Sequence, residues 1–383
     1  AALDMMVVRH EVLRTTYSLE GDHAVQVIHP PRGLELQHWD APGDTPEARE
    51  AAMHRFCQEA VRQPFDLEKE VVRGALLRLG DREHVLFVTF HHAVSDAWCT
   101  MVIAHELTVN YTAFRAGQPS PLPELPVQYA DYAVWQRAWL EGGEMEKQVA
   151  WWKDHLAGAP PLELPTDRPR PAVMSYAGAR YTFLLPSEVS APMLALGRKH
   201  GATTFMVLMA LFQTVLSRYS GQEDFVVGTP IAGRTRPEVE WLLGCFINTL
   251  PFRSKLSGQP SFVELLGRVR AQALEAYARQ DAPFERVLET LELPRDLSRT
   301  PVFQAVLNVI NTPEAKGQLP SLALSQVEVP TDTAKFDLSL EVLESRTGIA
   351  CHLEYATALF DAATVERMAE HLTVLLKAVV AAP

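Results

Sequence analysis

Strand-like and helix-like patterns of hydrophobic residues alternate along the chain. The apolar run VLFVTF at 85–90 predicts a buried strand, because it is short and rich in β-branched and aromatic residues. After it, Ile103, Leu107, Tyr111 and Phe114 recur at the spacing of one helix face. The polar sequence HHAVSDA separates the two patterns. This part of the chain therefore predicts a strand, a polar turn and a helix, in that order.

The second half of the chain shows the same mixture. Strands are predicted at 181–186, 224–234, 301–310 and 335–343. The run TTFMVLMALFQTVLSRYSG at 203–221 predicts a buried helix that ends at Gly221. The final element is predicted as an amphipathic helix with Asp361 as its N-cap.

Two proline-rich segments interrupt these elements, QPSPLPELPVQ at 118–128 and GAPPLELPTDRPRP at 158–171. Proline can neither continue a helix nor donate to a central ladder of a sheet, so both are predicted as extended connections. A chain of 383 residues predicts two domains. We expect a first domain over 1–160 with a truncated start, a linker over 161–172 and a second domain over 173–383.

Composition and charge argue against two classes of partner. Lys and Arg total 35 against 47 acidic residues, for a net charge of −12, which disfavours a protein that binds nucleic-acid phosphates. No apolar run approaches the roughly 20 residues of a membrane-spanning helix, and the first residues do not resemble a signal peptide. The four cysteines lack CxxC or zinc-like spacing, so they are predicted to be reduced thiols of a cytoplasmic protein.

The polar cluster in FHHAVSDAWC at 90–99 is open to three interpretations: a catalytic group, a metal site or a satisfied polar turn. On a strand, the adjacent His91 and His92 point to opposite faces, so only one is expected to face a reaction space. Asp96 follows at a distance that allows its carboxylate to return towards a histidine or another fixed charge. A metal site is disfavoured, because the two rings diverge and no second cluster of His, Cys and Asp accompanies them.

Six stretches spread over nearly the whole chain carry a family resemblance. They are RHEVLRTTY (9–17), FHHAVSDAW (90–98), YADYAVWQ (129–136), LGCFINTLPFR (243–253), RQDAPFERV (279–287) and RDLSRTPVFQ (295–304). In this order they resemble the core motifs of the condensation domains of nonribosomal peptide synthetases. The resemblance implies an α/β fold of two chloramphenicol-acetyltransferase-like sandwich lobes, arranged in a V with a central tunnel. The family's earliest motif, SxAQxRxW, is missing.

The resemblance also implies a reaction and its partners. A carrier-bound aminoacyl amine attacks an acyl or peptidyl thioester on an upstream carrier, and a peptide bond forms. The expected partners are the upstream donor and downstream acceptor peptidyl carrier domains and an adjacent adenylation domain. Phosphopantetheine belongs to the carriers, so no intrinsic cofactor and no metal are expected. The excised domain is expected to be a monomer.

The family pattern assigns roles to the HHxxxD residues. His92 is expected to face the amine, since an imidazole with a pKa near 6.5 is matched to accept or position the amine proton. His91 is expected to hydrogen-bond structurally. In this family the aspartate pairs with an arginine, so Asp96 is expected to pair with Arg9 or Arg14.

Three other positions bear on the substrate path. Asn248 and Trp98 are expected near the tunnel, where the Asn248 amide would hold a substrate carbonyl or bracket the loop. Ala97 stands where the family has glycine, which is used where φ is positive or another group approaches closely. Ala97 is therefore expected to alter activity or the accepted substrate. Cys99 stands where serine is common, and the helical spacing of Tyr129 and its neighbours favours packing.

Two rival functions remain open. An epimerisation domain shares the fold and HHxxxD, but the motifs at 243–253 and 279–287 are more similar to condensation domains. A catalytically silent domain that docks carriers or recruits an enzyme is favoured by Ala97 and disfavoured by the intact His92 and Asp96. A heterocyclisation domain would carry DxxxxD, and acyltransferases that use coenzyme A would carry DFGWG. The donor is expected to be L-configured.

Overall fold

The computed structural model describes residues 1–310, 319, 322–327, 329, 332–345 and 348–383. The chain forms two compact units. The first contains Ala1–Trp139, Arg234–Ile247 and the described residues between 319 and 329. The second contains Leu140–Gly233, 248–310 and the described residues from 332 onwards.

Helices and strands of the first unit follow in this order: α1 (Ala2–Arg9), β1 (Thr15–Glu20), β2 (His23–Ile28), β3 (Leu36–Asp40), α2 (Pro46–Arg62), β4 (Val72–Arg78), β5 (His84–Phe90), α3 (Ala97–Arg115) and α4 (Tyr129–Trp139). Short 3₁₀ helices cover Glu11–Arg14 and Pro237–Val239. Within the described residues, β3, β4 and β5 form one sheet, parallel between β3 and β4 and antiparallel between β4 and β5. The strands β1 and β2 form an antiparallel hairpin.

The second unit contains α5 (Met145–Leu156), β6 (Gly178–Pro186), α6 (Ser187–Lys199), α7 (Thr204–Ser220), β7 (Asp224–Ile231), β8 (Asn248–Lys255), α8 (Phe262–Tyr277), α9 (Phe284–Thr290), β9 (Ala305–Ile310), β10 (Leu338–Ser345), β11 (Gly348–Ala356) and α10 (Ala362–Ala381). A π-helical turn, Leu140–Glu144, precedes α5. As far as the structure describes the chain, the sheet has six strands in the order β6-β11-β10-β9-β7-β8. Its β9–β10 and β7–β9 pairs are parallel and the others antiparallel. The predicted α/β class is confirmed.

The predicted strand, turn and helix around the histidines are observed as β5, a loop and α3. A small core holds these elements together, and its members include Met6, Val12, Val94, Val102 and Leu243. Val94 lies inside the polar loop and is fully buried. One apolar side chain, that of Val94, therefore anchors the loop in the core, and the polar residues on either side of it are not part of that core.

The predicted buried helix at 203–221 is confirmed as α7, whose apolar residues lie in the core of the second unit. The Thr203 side chain caps it by accepting from the Met206 N–H at 3.3 Å. Gly221 follows in the left-handed conformation with φ of 72°, which favours glycine. The start of α7 and its end both follow from capping residues that the sequence displays.

The four strands predicted in this half are also present, with shifted ends. The strand predicted at 301–310 begins only at Ala305, because Phe303 N–H donates to the Pro301 carbonyl at 2.8 Å and closes a tight turn. In β10, Leu338, Leu340 and Val342 are buried in alternation, as expected for one face of a strand.

The proline-rich segment at 158–171 does not separate the two units. Before it, Trp152 and Leu156 of α5 lie in the core of the second unit. Within it, the Leu162 N–H donates to the Gln304 side chain at 2.8 Å and Leu162 is 1% exposed. The units therefore divide the chain differently from the predicted boundary at 161–172, because apolar residues on both sides of the prolines pack into one core.

Asp361 occupies the N-cap position of α10, but its side chain makes no capping hydrogen bond. It pairs instead with Arg168. Asp167 supports this helix start by accepting from the Asp361 N–H at 2.8 Å and from the Thr364 hydroxyl at 2.9 Å. A carboxylate from a distant segment therefore replaces the local cap that the sequence predicts.

All four cysteines are free thiols, as predicted. In the part of the chain that the structure describes, no single helix has both the length and the hydropathy to cross a membrane. The helices α6 and α7 meet those two conditions only as a pair joined across a bend of 108°.

We expect Gly178→Ala to destabilise the second unit by about 1–3 kcal/mol through overpacking. A Cβ at Gly178 would lie 2.4 Å from the backbone nitrogen of Ala334, which cannot move aside as a flexible side chain can. The control is Gly267→Ala in α8, where a Cβ meets no atom within 4 Å. That variant is expected to gain about 0.5–1 kcal/mol. Urea unfolding measures both, and equal free energies of unfolding would contradict the prediction.

Candidate active site

The residues of HHAVSD form a tight loop between β5 and α3. β5 ends at Phe90, and the next N–H, that of His91, donates to the Val71 carbonyl at 2.9 Å. The Val94 N–H donates back to the His91 carbonyl at 3.0 Å. Both histidines follow the strand instead of lying on it. The prediction that the two side chains alternate on a strand is therefore wrong, because both residues lie in the turn that follows the strand.

His91 is held within the loop. Its Nδ1 accepts from the Ala93 N–H at 3.1 Å, so Nε2 carries the proton of the neutral ring. The ring is partly buried and meets Phe65 edge to face, with centroids 5.9 Å apart. These contacts are those of a structural residue, which is the role predicted for His91.

His92 is exposed. Its Nδ1 lies 3.6 Å from the Sγ of Cys245, so its hydrogen-bond partner in the described part of the chain is a thiol and not a carboxylate. An exposed imidazole can be reached by a ligand that approaches from solvent. The described residues contain no group of three or more His, Cys, Asp or Glu side chains that could hold a metal ion. The catalytic role of His92 stays a prediction.

Asp96 is buried and is the N-cap of α3. Its carboxylate accepts from the Cys99 N–H at 3.2 Å and from the Phe246 N–H at 3.1 Å. One terminal nitrogen of Arg234 lies 3.2 and 3.3 Å from its two oxygens. The side chains of Arg234 and Asp96 are only 2% and 3% exposed. Because an unpaired buried charge is costly, this arginine is the partner that allows Asp96 to be buried.

The predicted pairing of Asp96 with Arg9 or Arg14 is wrong. Arg9 donates to Glu106 at 2.8 Å, and Arg14 donates to a carbonyl and a carboxylate of its own N-terminal region. Arg234 lies 138 residues from Asp96 in the sequence. A separation of that length gives no local signal in the sequence.

Arg234 also holds the segment Arg234–Ile247, here called segment 234–247, which belongs to the first unit. Its Nη1 donates to the carbonyls of Val239 and Leu242 at 2.7 and 2.8 Å. Its guanidinium lies over the Phe246 ring, 4.1 Å from the centroid, in a cation–π contact. The planar, multiply donating guanidinium suits this task, because it reaches two backbone carbonyls and the Asp96 carboxylate at once.

A second buried network holds segment 234–247 through His10. Glu106 is 1% exposed and accepts from His10 Nε2 at 2.9 Å and from Arg9 Nε at 2.8 Å. His10 Nδ1 accepts from the Leu243 N–H at 3.3 Å. Burial raises the pKa of the Glu106 carboxyl, but the hydrogen bonds from His10 and Arg9 and the charge of Arg9 outweigh it and leave that pKa below its ordinary value. Glu106 is therefore ionised at neutral pH.

Cys99 supports Asp96 from the first turn of α3. Its Sγ lies 3.2 Å from the Asp96 carboxylate and 3.3 Å from the Gly244 carbonyl. Burial, and after it the Asp96 charge, raises the pKa of this thiol to about 11. The thiol is therefore neutral at pH 7 and donates a hydrogen bond, as a serine hydroxyl would at the same position.

Ala97 and Trp98 begin α3. Ala97 is exposed and is not among the residues with positive φ, so the backbone reason for expecting glycine does not apply to it. The Trp98 indole N–H donates to the Glu240 carbonyl at 2.9 Å, and its ring packs against the small core of the first unit. Trp98 thus tethers segment 234–247. Its place in a substrate tunnel stays a prediction.

Asn248 opens β8 in the second unit. Its Nδ2 donates to the carbonyls of Gln280 and Ala282, both at 2.8 Å, and its Oδ1 accepts from the Phe284 N–H at 3.1 Å. Both amide donors are used inside the protein. Of the two roles predicted for Asn248, these contacts are those of bracketing a loop, here residues 280–284.

We expect Arg234→Met to destabilise the protein strongly. It leaves the buried Asp96 carboxylate without its cation, a change that typically costs about 3–5 kcal/mol. The control is Arg286→Met, which removes the solvent-exposed pair with Glu289 and should leave the free energy of unfolding almost unchanged. Urea unfolding followed by circular dichroism measures both variants. A loss below about 1 kcal/mol for Arg234→Met would show that the pair is not structurally important.

We expect the stabilising effect of Glu106 to depend on pH. Since its pKa is lowered in the folded state, its contribution is present above the unfolded value near 4.3 and is lost as the pH falls through the folded value. Glu106→Gln should therefore be less stable than wild type at pH 7, and the difference should narrow on acidification towards pH 3.5. Urea unfolding at a series of pH values measures it. A difference that does not change with pH would contradict the assignment.

Residues 1–383 match the family model of the condensation domain. One of the linear gramicidin synthase proteins of Brevibacillus parabrevis is 47% identical over 382 residues, covering 99% of this chain and 5% of that protein. Malpibaldin synthetase of Mortierella alpina is 43% identical over 379 residues, covering 98% of this chain and 7% of that protein. The chain thus spans less than a tenth of the length of either relative.

Two solved structures are also similar to this chain over its whole length. The X-domain from teicoplanin biosynthesis is 32% identical with a TM-score of 0.90, covering 100% of this chain and 87% of that chain. A complex of the X-domain and OxyB from teicoplanin biosynthesis matches at 31% identity and a TM-score of 0.86, covering 100% and 84%. The chain belongs to the condensation-domain family of nonribosomal peptide synthetases.

Proposed function

We propose that this chain catalyses peptide-bond formation between two substrates held as thioesters on the phosphopantetheine arms of carrier domains. The acceptor amine attacks the donor thioester carbonyl, so that a C–N bond forms and the C–S bond breaks. The amine proton ends on the released thiol of the donor arm. The observation that supports this is the placement of His92: it alone of the HHxxxD polar residues is exposed, while His91 and Asp96 are bound within the protein.

His92 orients the amine and passes on its proton. An α-amine with a pKa near 8 is about one-tenth unprotonated at pH 7, so its deprotonation costs only about 1.4 kcal/mol. Acid–base help contributes roughly 10²–10⁴ in rate, and holding two tethered reactants contributes more. Asp96 is occupied by Arg234 and is not paired with the His92 ring. Among the described residues, His92 therefore has no carboxylate of the kind that stabilises an imidazolium in a Ser-His-Asp triad, which favours positioning as its main contribution.

The partners in this proposal are an upstream donor carrier, a downstream acceptor carrier and an adenylation domain that loads the acceptor. The match to a small part of a synthetase many times longer is in keeping with such neighbours. The carriers bring the phosphopantetheine, and the chain supplies no prosthetic group of its own.

A second candidate is a domain that recruits another protein without catalysis. The observation that favours it is the similarity to the X-domain, which forms a complex with OxyB. Ala97 also adds an exposed methyl group at the start of α3, where the family has glycine. The exposed His92 argues against it, because docking another protein does not require an imidazole that solvent can reach.

Product formation between charged carriers distinguishes the two candidates. Donor and acceptor carriers loaded with panels of L- and D-aminoacyl groups are incubated with the wild type, His92→Ala and His84→Ala. The control removes an exposed histidine at the start of β5. We expect dipeptidyl product from the wild type and from His84→Ala, and a loss of about 10²-fold or more in His92→Ala.

Each contrary result has its own meaning. If the wild type binds carriers and forms no product, the enzyme proposal fails and recruitment is favoured. If His92→Ala forms as much product as the wild type, the enzyme proposal stands, but His92 has no catalytic role in it. Chiral analysis of the donor residue tests the epimerisation alternative, because an epimerase would invert the donor without joining it to the acceptor.

A further inference from the structure

Cys245 differs from the other three cysteines in its surroundings. Cys57, Cys99 and Cys351 are no more than 1% exposed, whereas Cys245 is partly exposed. Its Sγ lies 3.6 Å from Nδ1 of His92, within hydrogen-bonding distance for a sulfur atom. A thiol is both a weak donor and a weak acceptor, so it can pair with a ring nitrogen in either tautomer. The exposed histidine therefore has a partner at one of its two nitrogens.

The backbone on both sides of Cys245 is held in place. The Cys245 carbonyl accepts from the Tyr129 hydroxyl at 2.8 Å, and the Phe246 N–H donates to the buried Asp96 carboxylate. Gly244 has φ of 154°, and a Cβ there would lie 2.2 Å from the Tyr129 ring. Glycine is needed for this close approach. The thiol thus projects from a fixed point of segment 234–247 and not from a loose loop.

The ionisable groups around the pair do not compete with it. Burial, and with it the nearby Cys245, raises the pKa of Tyr17 on β1 and of Tyr129 on α4, so both phenols are neutral at pH 7. The charged groups behind Phe246 are Asp96 and Arg234, which pair with each other. No charged group among these neighbours is directed at the ring of the histidine.

We propose that Cys245 is a positioning residue for His92: its sulfur accepts a hydrogen bond from Nδ1–H, which leaves Nε2 unprotonated and turns it towards the acceptor amine. The reasoning is geometric. An exposed imidazole rotates readily about its outer torsion and presents either nitrogen, whereas a hydrogen bond at Nδ1 from a fixed backbone selects one orientation. This inference rests on the proposed function, because it specifies how the catalytic ring is presented. The thiol itself is not acylated.

The first test concerns the ring and needs no substrate. Proteins with ¹⁵N-labelled histidine are compared as wild type, Cys245→Ala and Cys245→Ser, with the His92 signals assigned by their loss in His92→Ala. We expect one dominant tautomer for His92 in the wild type and in the serine variant, and a mixture in the alanine variant. The exposed His84 is the internal control and should not change. His92 signals that are identical in Cys245→Ala and wild type would overturn the proposal.

The second test is kinetic and uses charged carriers. Losing one weak hydrogen bond should lower kcat about three- to tenfold in Cys245→Ala with the acceptor KM unchanged, and Cys245→Ser should recover to within about twofold. Adding Cys245→Ala to His92→Ala should cause no further loss. A kcat for Cys245→Ala equal to that of the wild type would overturn the proposal, and so would an acyl adduct on Cys245 in the intact mass. If no variant forms product, the proposed function fails, and the histidine signals still decide whether the pair exists.

Discussion

The buried ion pair between Asp96 and Arg234 is the interaction on which the rest of the site depends. It links the end of the histidine loop to segment 234–247, two parts of the first unit that are far apart in the sequence. The carboxylate also caps α3, and the guanidinium also binds two carbonyls of its own segment. Removing either charge would leave the other buried and unpaired, so both are fixed together. The exposed imidazole of His92 is presented by this fixed framework.

The N-terminal motif gains a physical explanation from the same framework. Its histidine, His10, stands between a buried acid, Glu106, and the Leu243 N–H, so that the motif holds segment 234–247 from a second side. Segment 234–247 therefore has backbone anchors at Leu243 and Phe246, which lie on either side of Cys245. The thiol reaches His92 because the chain around it has little freedom to move.

Much of the fold could be predicted from local patterns, because the decisive signals are local. β5, α3 and α7 follow from apolar periodicity, and the glycine after α7 marks its end. The failures involve long-range contacts. No local pattern shows that Asp167 replaces Asp361 at the start of α10, or that Leu162, which lies among the prolines near 160, is buried in the core of the second unit. In the site, the motif predicts that Asp96 pairs with an arginine, but that arginine lies 138 residues away and no local pattern identifies it.

A double-mutant cycle on Asp96 and Arg234 tests the central claim most directly. Free energies of unfolding are measured for the wild type, Asp96→Asn, Arg234→Met and the double variant. Any effect of Asp96→Asn on the α3 cap is present with and without Arg234, so the cycle isolates the interaction free energy between Asp96 and Arg234. If the ion pair organises the site, the sum of the stability losses in the two single variants exceeds the loss in the double variant by a coupling free energy of about 2–3 kcal/mol. Losses that add to within about 0.5 kcal/mol would contradict the account.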